Sequence, residues 1–232
     1  MNLKNVLKEK ANPEKVEVLQ KFFKTSKGEY GEGDVFLGIP VPRIRKVARE
    51  FKNISLGEVQ EYLNSEIHEE RLASLLILVD KLKKADESEK EKIFNFYLKN
   101  AARNRINNWD LVDLSCRFIV GDFLLDKERR ILYHLASGNL WERRISIVST
   151  YAFIKKGQLD DTLKISEILL EDKHDLIHKA VGWMLREIGK RDVRVLEGFL
   201  NKNYKKMPRT MLRYAIEKFP EKKRKSYLDR GV

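Results

Sequence analysis

A carboxylate and an indole stand four residues apart near the middle of the chain, at Asp113 and Trp109. In an α-helix this spacing places both side chains on one face. Asn107 or Asn108 can cap that helix by accepting a hydrogen bond from a backbone N–H of the first turn. A carboxylate held beside an indole at the mouth of a groove can take part in chemistry. The alternative is that Asp113 is a first-turn acid, which the positive end of the helix dipole favours.

The helix predicted around these residues spans 108–125, and we place the centre of its solvent face at Asp110 and Arg117, seven residues apart. The edge of the helix that carries Trp109 and Asp113 then lies to one side of this solvent face, next to apolar residues. We therefore expect Asp110 to be exposed and Asp113 to lie at the border between water and the core.

The charge balance is strongly basic, because 47 Lys and Arg stand against 35 Asp and Glu in 232 residues, a net charge of +12. Such a surplus favours polyanionic partners through phosphate neutralisation and counterion release, although basic proteins without a nucleic acid partner are common. The single cysteine, Cys116, cannot form an internal disulfide and fits a reducing cytosol. No apolar run approaches membrane-spanning length. We predict a soluble, cytoplasmic monomer without a membrane partner.

Proline is absent from positions 43 to 207, although it commonly punctuates loops. In that region apolar residues recur at i, i+3, i+4 and i+7, without sustained alternation of period two. The chain is therefore predicted to be all-α, with a glycine-rich loop at 27–38. Helices are predicted from Pro13 through Phe23, at 41–51, from the capping box at Ser55, and at about 66–84, 87–103, 108–125, 127–136, 141–156, 159–171, 174–190, 192–203, 209–218 and 221–229.

One helix in each successive pair begins with a similar apolar-rich run, at Glu70, Asn108, Glu142, Lys179 and Arg209. These starts lie 38, 34, 37 and 30 residues apart, close to the period of HEAT-like repeats. Such repeats bury their apolar faces by stacking, which produces a solenoid with one concave surface. We predict a single domain over residues 1–232, an all-α HEAT-like helical-repeat solenoid with a basic concave face.

The concave face is predicted to combine cations with aromatic rings. This combination suits nucleic acid, because cations hold phosphates while rings contact sugars or bases. For each tryptophan the alternative is a place in the core: Trp141 can pack against the preceding helix, and Trp183 follows Gly182. The residues predicted on this face are Arg71, Trp109, Asp113, Trp141, Arg143, Arg144, Lys179, Trp183, Arg186, Arg209 and Arg213.

Three strings, Asn108 to Asp113, Trp141 to Arg144 and Lys179 to Glu187, resemble signatures of the AlkD-type DNA alkylation repair family. Phe36 to Ile39, followed by Pro42 and Arg43, is similar to the N-terminal signature of that family. The similarity covers nearly the whole chain, and the motifs stand in the family's order. It implies a HEAT-like solenoid that binds double-stranded DNA in its concave face and removes N3- or N7-alkylated purines, without a deep base-binding pocket.

Carried over residue by residue, the resemblance implies Asp113 as the catalytic carboxylate, Trp109 and Trp183 as aromatic walls at the damaged nucleotide, and Arg144 as a contact to the DNA backbone. An aromatic residue from the N-terminal helices contributes in the family. Here the segment Gly28 to Gly33 resembles an insertion before Phe36, so Phe23 and Tyr30 are both candidates. The other predicted DNA-binding residues are Trp141, Arg143, Lys179, Arg186, Arg209 and Arg213.

The implied chemistry needs only one carboxylate. An alkyl group at N3 or N7 makes the purine cationic, so the base leaves as a neutral molecule, while the sugar gains oxocarbenium character that a carboxylate stabilises. The four histidines and Cys116 lack metal-ligand spacing, and no phosphate-binding glycine motif is present, so we expect neither metal nor cofactor. The alternatives are a non-catalytic HEAT-repeat protein that binds damaged or structured DNA and a protein-binding HEAT scaffold.

Overall fold

The computed structural model describes residues 2–229, and the predicted all-α class is confirmed. In this range strand-type pairing is limited to an isolated parallel bridge between Val35 and Ile67. No helix of the described range is long and apolar enough to cross a membrane. The chain forms two compact units, Met1–Ser115 and Cys116–Val232. The single domain over residues 1–232 stays a prediction.

The N-terminal unit consists of helices joined by turns and by one long glycine-rich loop between Phe23 and Pro40. The predicted capping box at Ser55 is confirmed, since its hydroxyl accepts a hydrogen bond from the Glu58 N–H, and the Glu58 carboxylate accepts one from the Ser55 N–H. The helices are α1 (Leu3–Glu9), α2 (Pro13–Phe22), α3 (Val41–Glu50), α4 (Leu56–Leu63), α5 (His68–Leu82), α6 (Glu87–Ala102) and α7 (Trp109–Asp113).

The centre of this unit is α5, which is buried from His68 to Val79. Helices α3, α4, α6 and α7 pack against it. Its first turn carries ionisable side chains into the interior, where each needs a partner to offset lost hydration. Arg71 is one of them: it is 4% exposed and its guanidinium lies 2.6 Å from the Asp34 carboxylate. The prediction that Arg71 lines an exposed DNA-binding face is therefore wrong.

The C-terminal unit consists of a π-helix (Arg117–Gly121), α8 (Arg130–Leu135), α9 (Leu140–Ser149), α10 (Tyr151–Lys155), α11 (Asp160–Ile168), α12 (Asp175–Arg191), α13 (Val193–Asn203), α14 (Arg209–Ala215) and α15 (Glu221–Leu228). Helix α12 contacts α9, α10, α11, α13 and α14. Gly182 permits the close approach of α12 and α14, because a Cβ there would lie 2.5 Å from both the Met211 carbonyl oxygen and the Tyr214 Cβ.

Two long helices predicted from the sequence are interrupted. The predicted helix at 108–125 ends as α7 at Asp113, and the predicted helix at 141–156 divides into α9 and α10 at Thr150. At each break a hydroxyl bonds back to preceding carbonyls: Ser115 to those of Leu111 and Val112, and Thr150 to that of Ile147. Such bonds compete with the helical pattern and bend or end a helix. The short α1 was not predicted.

Candidate functional site

Trp109 and Asp113 are the first and last residues of α7, and both are half-buried. The Asn108 side chain caps this helix, since its Oδ1 accepts the Trp109 N–H at 2.8 Å. The first-turn acid is Asp110, whereas Asp113 lies at the C-terminal end, where the helix dipole disfavours a negative charge. The alternative explanation of Asp113 as a dipole-stabilised acid is therefore wrong.

Phenylalanine rings hold the Trp109 indole from two directions. Phe23 stacks on it, with centroids 5.1 Å apart and planes at 13°, and Phe22 meets it edge-on at 5.7 Å and 78°. Phe23 also stacks with Phe36, with ring centroids 5.1 Å apart. Offset stacks and edge-to-face pairs are the favourable geometries for aromatic rings. The indole is thus held by α2 and by the loop that precedes α3.

The structure distinguishes the N-terminal aromatic residues by their exposure. Phe23, one of the two predicted candidates, contacts Trp109 but is 7% exposed, whereas Phe22 contacts the same indole and is 60% exposed. Tyr30 is half-buried in the glycine-rich loop. Phe22 is not among the residues predicted from the sequence, although its position next to Phe23 at the end of α2 is a signal for it. Phe22 is therefore the accessible ring beside Trp109.

A cavity of about 360 Å³ opens beside these rings within the N-terminal unit. Its walls are mostly apolar and include Leu19, Ile44 and Leu72 together with the phenylalanine rings, while Asp113 and Trp109 also line it. Apolar walls bury hydrophobic surface but supply few hydrogen bonds with which to read a base edge. The carboxylate of Asp113 thus borders an apolar, aromatic space.

The backbone of the predicted signature Phe36 to Ile39 is fixed by a buried carboxylate. Glu69 accepts hydrogen bonds from the N–H groups of Leu37, Gly38 and Ile39 at 2.9, 2.9 and 3.1 Å. Gly38 has a φ of +82°, and a Cβ at this position would lie 2.1 Å from the Asn12 carbonyl oxygen. These contacts explain the glycine and hold the Phe36 ring in the stack.

Asp110 is predicted at the centre of the solvent face of its helix, but it is 4% exposed, so that prediction is wrong. Its Oδ2 lies 2.9 Å from His68 Nε2, and His68 Nδ1 lies 3.0 Å from Asp34 Oδ2. Asp34 also accepts hydrogen bonds from Arg71 at 2.6 Å and from Asn108 at 3.2 Å. Buried charges persist when they are paired and hydrogen-bonded in this way. Sequence reasoning missed this network, because its members are far apart in the chain.

The network shifts the protonation of two of its members. Burial alone would lower the pKa of His68, but the neighbouring Asp110 and Asp34 carboxylates outweigh it and raise that pKa from 6.5 to about 9. Burial would raise the pKa of Asp34, but hydrogen bonding to His68 and the charge of Arg71 outweigh it and lower that pKa below its ordinary 3.8. The cluster therefore combines cations and anions at neutral pH.

In the C-terminal unit, Trp183 is half-buried on α12 and lies 6.2 Å from the Tyr151 ring. The Arg117 guanidinium lies over the same tyrosine at 4.8 Å and over Phe118 at 4.3 Å, which are cation–π distances. Sequence reasoning did not identify Tyr151 as a partner of Trp183, because the two residues belong to different helices. Trp183 thus belongs to an aromatic and cationic cluster.

Two of the predicted DNA contacts lie in the interior. Trp141 is 4% exposed, which matches its alternative as a core residue. Arg144 is 5% exposed and donates to the Leu176 carbonyl at 2.6 Å, so in this structure its guanidinium does not present a surface to a phosphate. Arg143 is partly exposed, lies 2.6 Å from Asp172 and donates to the Gly138 carbonyl at 2.9 Å. These contacts tie α9 to its own unit.

The remaining predicted cations lie on α12 and α14. Lys179 lies 2.7 Å from Asp175, and Arg186 is paired with Glu187 and Glu217. Arg209 is exposed and donates to the Leu228 carbonyl at 3.0 Å, and Arg213 is also exposed. The Lys179–Asp175 pair is exposed, and exposed ion pairs are weak, so a phosphate can compete for this cation. The DNA-binding role of all these residues stays a prediction.

Comparison with known proteins gives two findings. The model of the family described as "DNA alkylation repair enzyme" matches residues 3–219. A solved structure described as a predicted DNA alkylation repair enzyme from Enterococcus faecalis superimposes with a TM-score of 0.71 at 17% identity, covering 91% of this chain and 98% of that one. At this identity the likeness concerns the fold, and it supports the predicted helical-repeat class. No curated protein sequence matches the chain.

Proposed function

Because the chain belongs to the family of DNA alkylation repair enzymes, we propose that it is a DNA glycosylase acting on N3- and N7-alkylated purines in duplex DNA. The observation that carries this proposal is the pairing of Asp113 with Trp109 on α7, at the edge of a cavity walled by aromatic rings. A carboxylate beside π faces complements the cationic sugar of the transition state better than it complements the uncharged sugar of the ground state.

The proposed reaction breaks the bond between C1′ of the deoxyribose and the purine nitrogen. The bonding electrons leave with the base, which neutralises its positive charge, so no general acid is required. Asp113 stabilises the oxocarbenium-like transition state and orients a water, whose oxygen bonds to C1′ while its proton passes to the carboxylate or to solvent. The products are a neutral alkylated base and an abasic site.

The aromatic and basic residues have binding roles in this proposal. Trp109 and Phe22 contact the lesion region, and Phe23 holds the Trp109 indole. Trp183 contacts the damaged DNA, and the exposed cations Arg209 and Arg213 bind phosphates. We further propose that the protein acts in the cytoplasm as a monomer. It needs no cofactor in this proposal, because the positive charge of the alkylated base already makes it a good leaving group without a metal to polarise it.

Incubation of the purified protein with duplex DNA that contains N7-methylguanine tests the glycosylase proposal. We expect release of free N7-methylguanine, quantified by chromatography, and an equal number of abasic sites in the DNA. The matched control is the same duplex with unmodified guanine, from which no base should be released. Binding of the alkylated duplex without base release would replace the proposal by the non-catalytic DNA-binding alternative.

Affinity for duplex DNA is expected to fall steeply as salt rises, since each neutralised phosphate releases condensed counterions, with a slope of about 0.9 per phosphate in a log–log plot. Arg213→Ala should reduce this slope by about one unit and lower the affinity for damaged and undamaged duplexes alike. Fluorescence anisotropy across a salt series measures both effects. Affinity that did not depend on salt would contradict phosphate binding by these cations.

The variant Phe22→Ala tests the proposed contact with the lesion with little effect on the stability of the fold. Because Phe22 is 60% exposed, its truncation should change the unfolding free energy by only about 0.5 kcal/mol. We expect excision under single-turnover conditions to slow by about tenfold, since base–aromatic contacts are worth about 1–3 kcal/mol. Val18→Ala, on the same helix and 66% exposed, is the matched control. Equal rates for both variants would remove Phe22 from the lesion contact.

A further inference from the structure

His68 is a buried histidine whose two ring nitrogens both face carboxylates. Its Nδ1 lies 3.0 Å from Asp34 Oδ2, and its Nε2 lies 2.9 Å from Asp110 Oδ2. An ionised carboxylate only accepts hydrogen bonds, so both nitrogens must carry a proton to satisfy these contacts. The geometry therefore describes an imidazolium, in a place that is 2% exposed.

The charges that face this imidazolium come from three elements. Asp34 belongs to the glycine-rich loop, Asp110 to α7 and Arg71 to the same helix as His68, whereas the neighbouring Phe23 and Phe36 rings are uncharged. With His68 protonated, two cations balance two carboxylates. Loss of the proton would leave a net negative charge in the interior, where an uncompensated charge is costly.

Two routes connect His68 to the candidate active site. Through hydrogen bonds, His68 holds Asp110, whose Oδ1 accepts the Leu111 N–H at 2.8 Å in the first turn of α7. Through rings, His68 lies 5.0 Å from Phe23, which stacks on Trp109 at 5.1 Å. His68, Asp110 and Asp113 also line the same cavity.

We propose that His68, as an imidazolium, is a positioning residue that locks the first turn of α7 through Asp110 and supports the Trp109 indole through Phe23. The inference rests on the proposed glycosylase function, in which Trp109 and Asp113 contact the reacting nucleotide. A misplacement of about 1 Å at a catalytic group can cost about a hundredfold in rate. His68 therefore affects the reaction through the geometry of α7.

The protonation of His68 gives this role a pH signature. Burial opposes the charge, but the Asp110 and Asp34 carboxylates raise the pKa of His68 from 6.5 to about 9. The pKa of His68 is higher in the folded state than in the unfolded state. The contribution of the imidazolium to the free energy of unfolding is therefore complete below pH 6.5 and is lost as pH rises through about 9. The Trp109 and Asp113 side chains should become less ordered over the same pH range.

The variant His68→Gln tests whether His68 affects the excision rate, because the glutamine amide retains hydrogen-bonding capacity but not the charge. Under single-turnover conditions at neutral pH we expect its maximal excision rate to fall at least about tenfold, while affinity for the alkylated duplex stays within about twofold. The parent rate should decline through about pH 9, and the rate of the variant should not. His134→Gln, at an exposed histidine of α8, is the matched control and should follow the parent.

A second measurement needs no DNA and separates this inference from the glycosylase proposal. The chain has three tryptophans, so 5-fluorotryptophan labelling gives few ¹⁹F resonances, and Trp109→Phe assigns the one of interest. We expect the Trp109 resonance to titrate with a midpoint near pH 9 in the parent and to stay constant in His68→Gln. If that resonance titrates while no base is released, the positioning of Trp109 stands and the glycosylase proposal fails.

A Trp109 resonance that does not titrate in the parent, or a His68→Gln variant with the parent's rate, would overturn the inference. If His68→Gln does not fold, Asp110→Asn takes its place. Removal of one of the two carboxylates should move the midpoint of the Trp109 resonance to lower pH, because the imidazolium loses its nearest counter-charge. An unchanged midpoint in Asp110→Asn would equally contradict the proposal.

Discussion

Asp113→Asn is expected to slow the excision of N7-methylguanine by about a hundredfold, equivalent to about 3 kcal/mol of transition-state stabilisation. The amide has nearly the shape of the carboxylate but cannot neutralise the positive charge that develops on the sugar. Single-turnover kinetics with enzyme in excess over the alkylated duplex isolate this step from product release. The effect should appear in the rate constant and not in the binding constant.

Affinity distinguishes this effect from a loss of DNA binding. A carboxylate near the phosphate backbone repels it in the ground state, so Asp113→Asn should bind alkylated duplex as well as the parent or slightly better. The matched control is Asp126→Asn, at an exposed aspartate of the C-terminal unit, which should retain the parent's excision rate. Excision by Asp113→Asn at the parent's rate would contradict the proposed role of this carboxylate.

The parts of the fold that could be predicted from the sequence are those set by local patterns. The helical period of apolar residues and the cap at Ser55 involve residues within about one turn of each other, so α4 and α12 follow from the sequence alone. The break of the predicted helix at 108–125 could not be predicted. At this break the Ser115 hydroxyl donates to the carbonyls of Leu111 and Val112, and the sequence does not specify which acceptor a serine hydroxyl takes.

The buried charges illustrate a second limit. A charged residue in a helical pattern is ordinarily exposed, so the pattern places Asp110 and Arg71 on the surface. Their burial depends on partners that are remote in sequence: Asp34 and His68 lie 34 residues apart, and His68 and Asp110 lie 42 apart. A pattern confined to one helix cannot contain this information. The prediction that Trp109 and Asp113 lie on one helix did not depend on such partners, although the predicted helix at 108–125 was too long.

The orientation of α9 about its own axis could not be predicted from the sequence either. The sequence places Trp141 and Arg144 at the start of a repeat helix, but it does not fix which side of that helix faces the core. Adjacent helical positions differ by about 100°, so an alignment of helix starts leaves the direction of each side chain open. In the structure both residues face inward, and the Arg144 guanidinium binds the Leu176 carbonyl.

The largest expected loss of stability follows from Asp34→Asn. The Asp34 carboxylate accepts hydrogen bonds from Arg71 at 2.6 Å, from His68 at 3.0 Å and from Asn108 at 3.2 Å. The substitution places an amide donor against these donors and leaves a buried cation without its counter-charge, which typically costs about 3–5 kcal/mol. Urea denaturation followed by circular dichroism measures the loss. Asp126→Asn, which is exposed, should stay within about 0.5 kcal/mol of the parent.

The pH dependence of this loss identifies its cause. The pKa of Asp34 is lowered in the folded state, so its contribution is present above its ordinary pKa of 3.8 and is lost as pH falls below that value. The contribution of His68 is present below pH 6.5 and is lost as pH rises through about 9. The difference in unfolding free energy between Asp34→Asn and the parent should therefore be large near neutral pH and smaller above pH 9. A difference that stayed constant across that interval would mean that Asp34 stabilises the unit through its hydrogen bonds to Arg71 and Asn108, without the imidazolium.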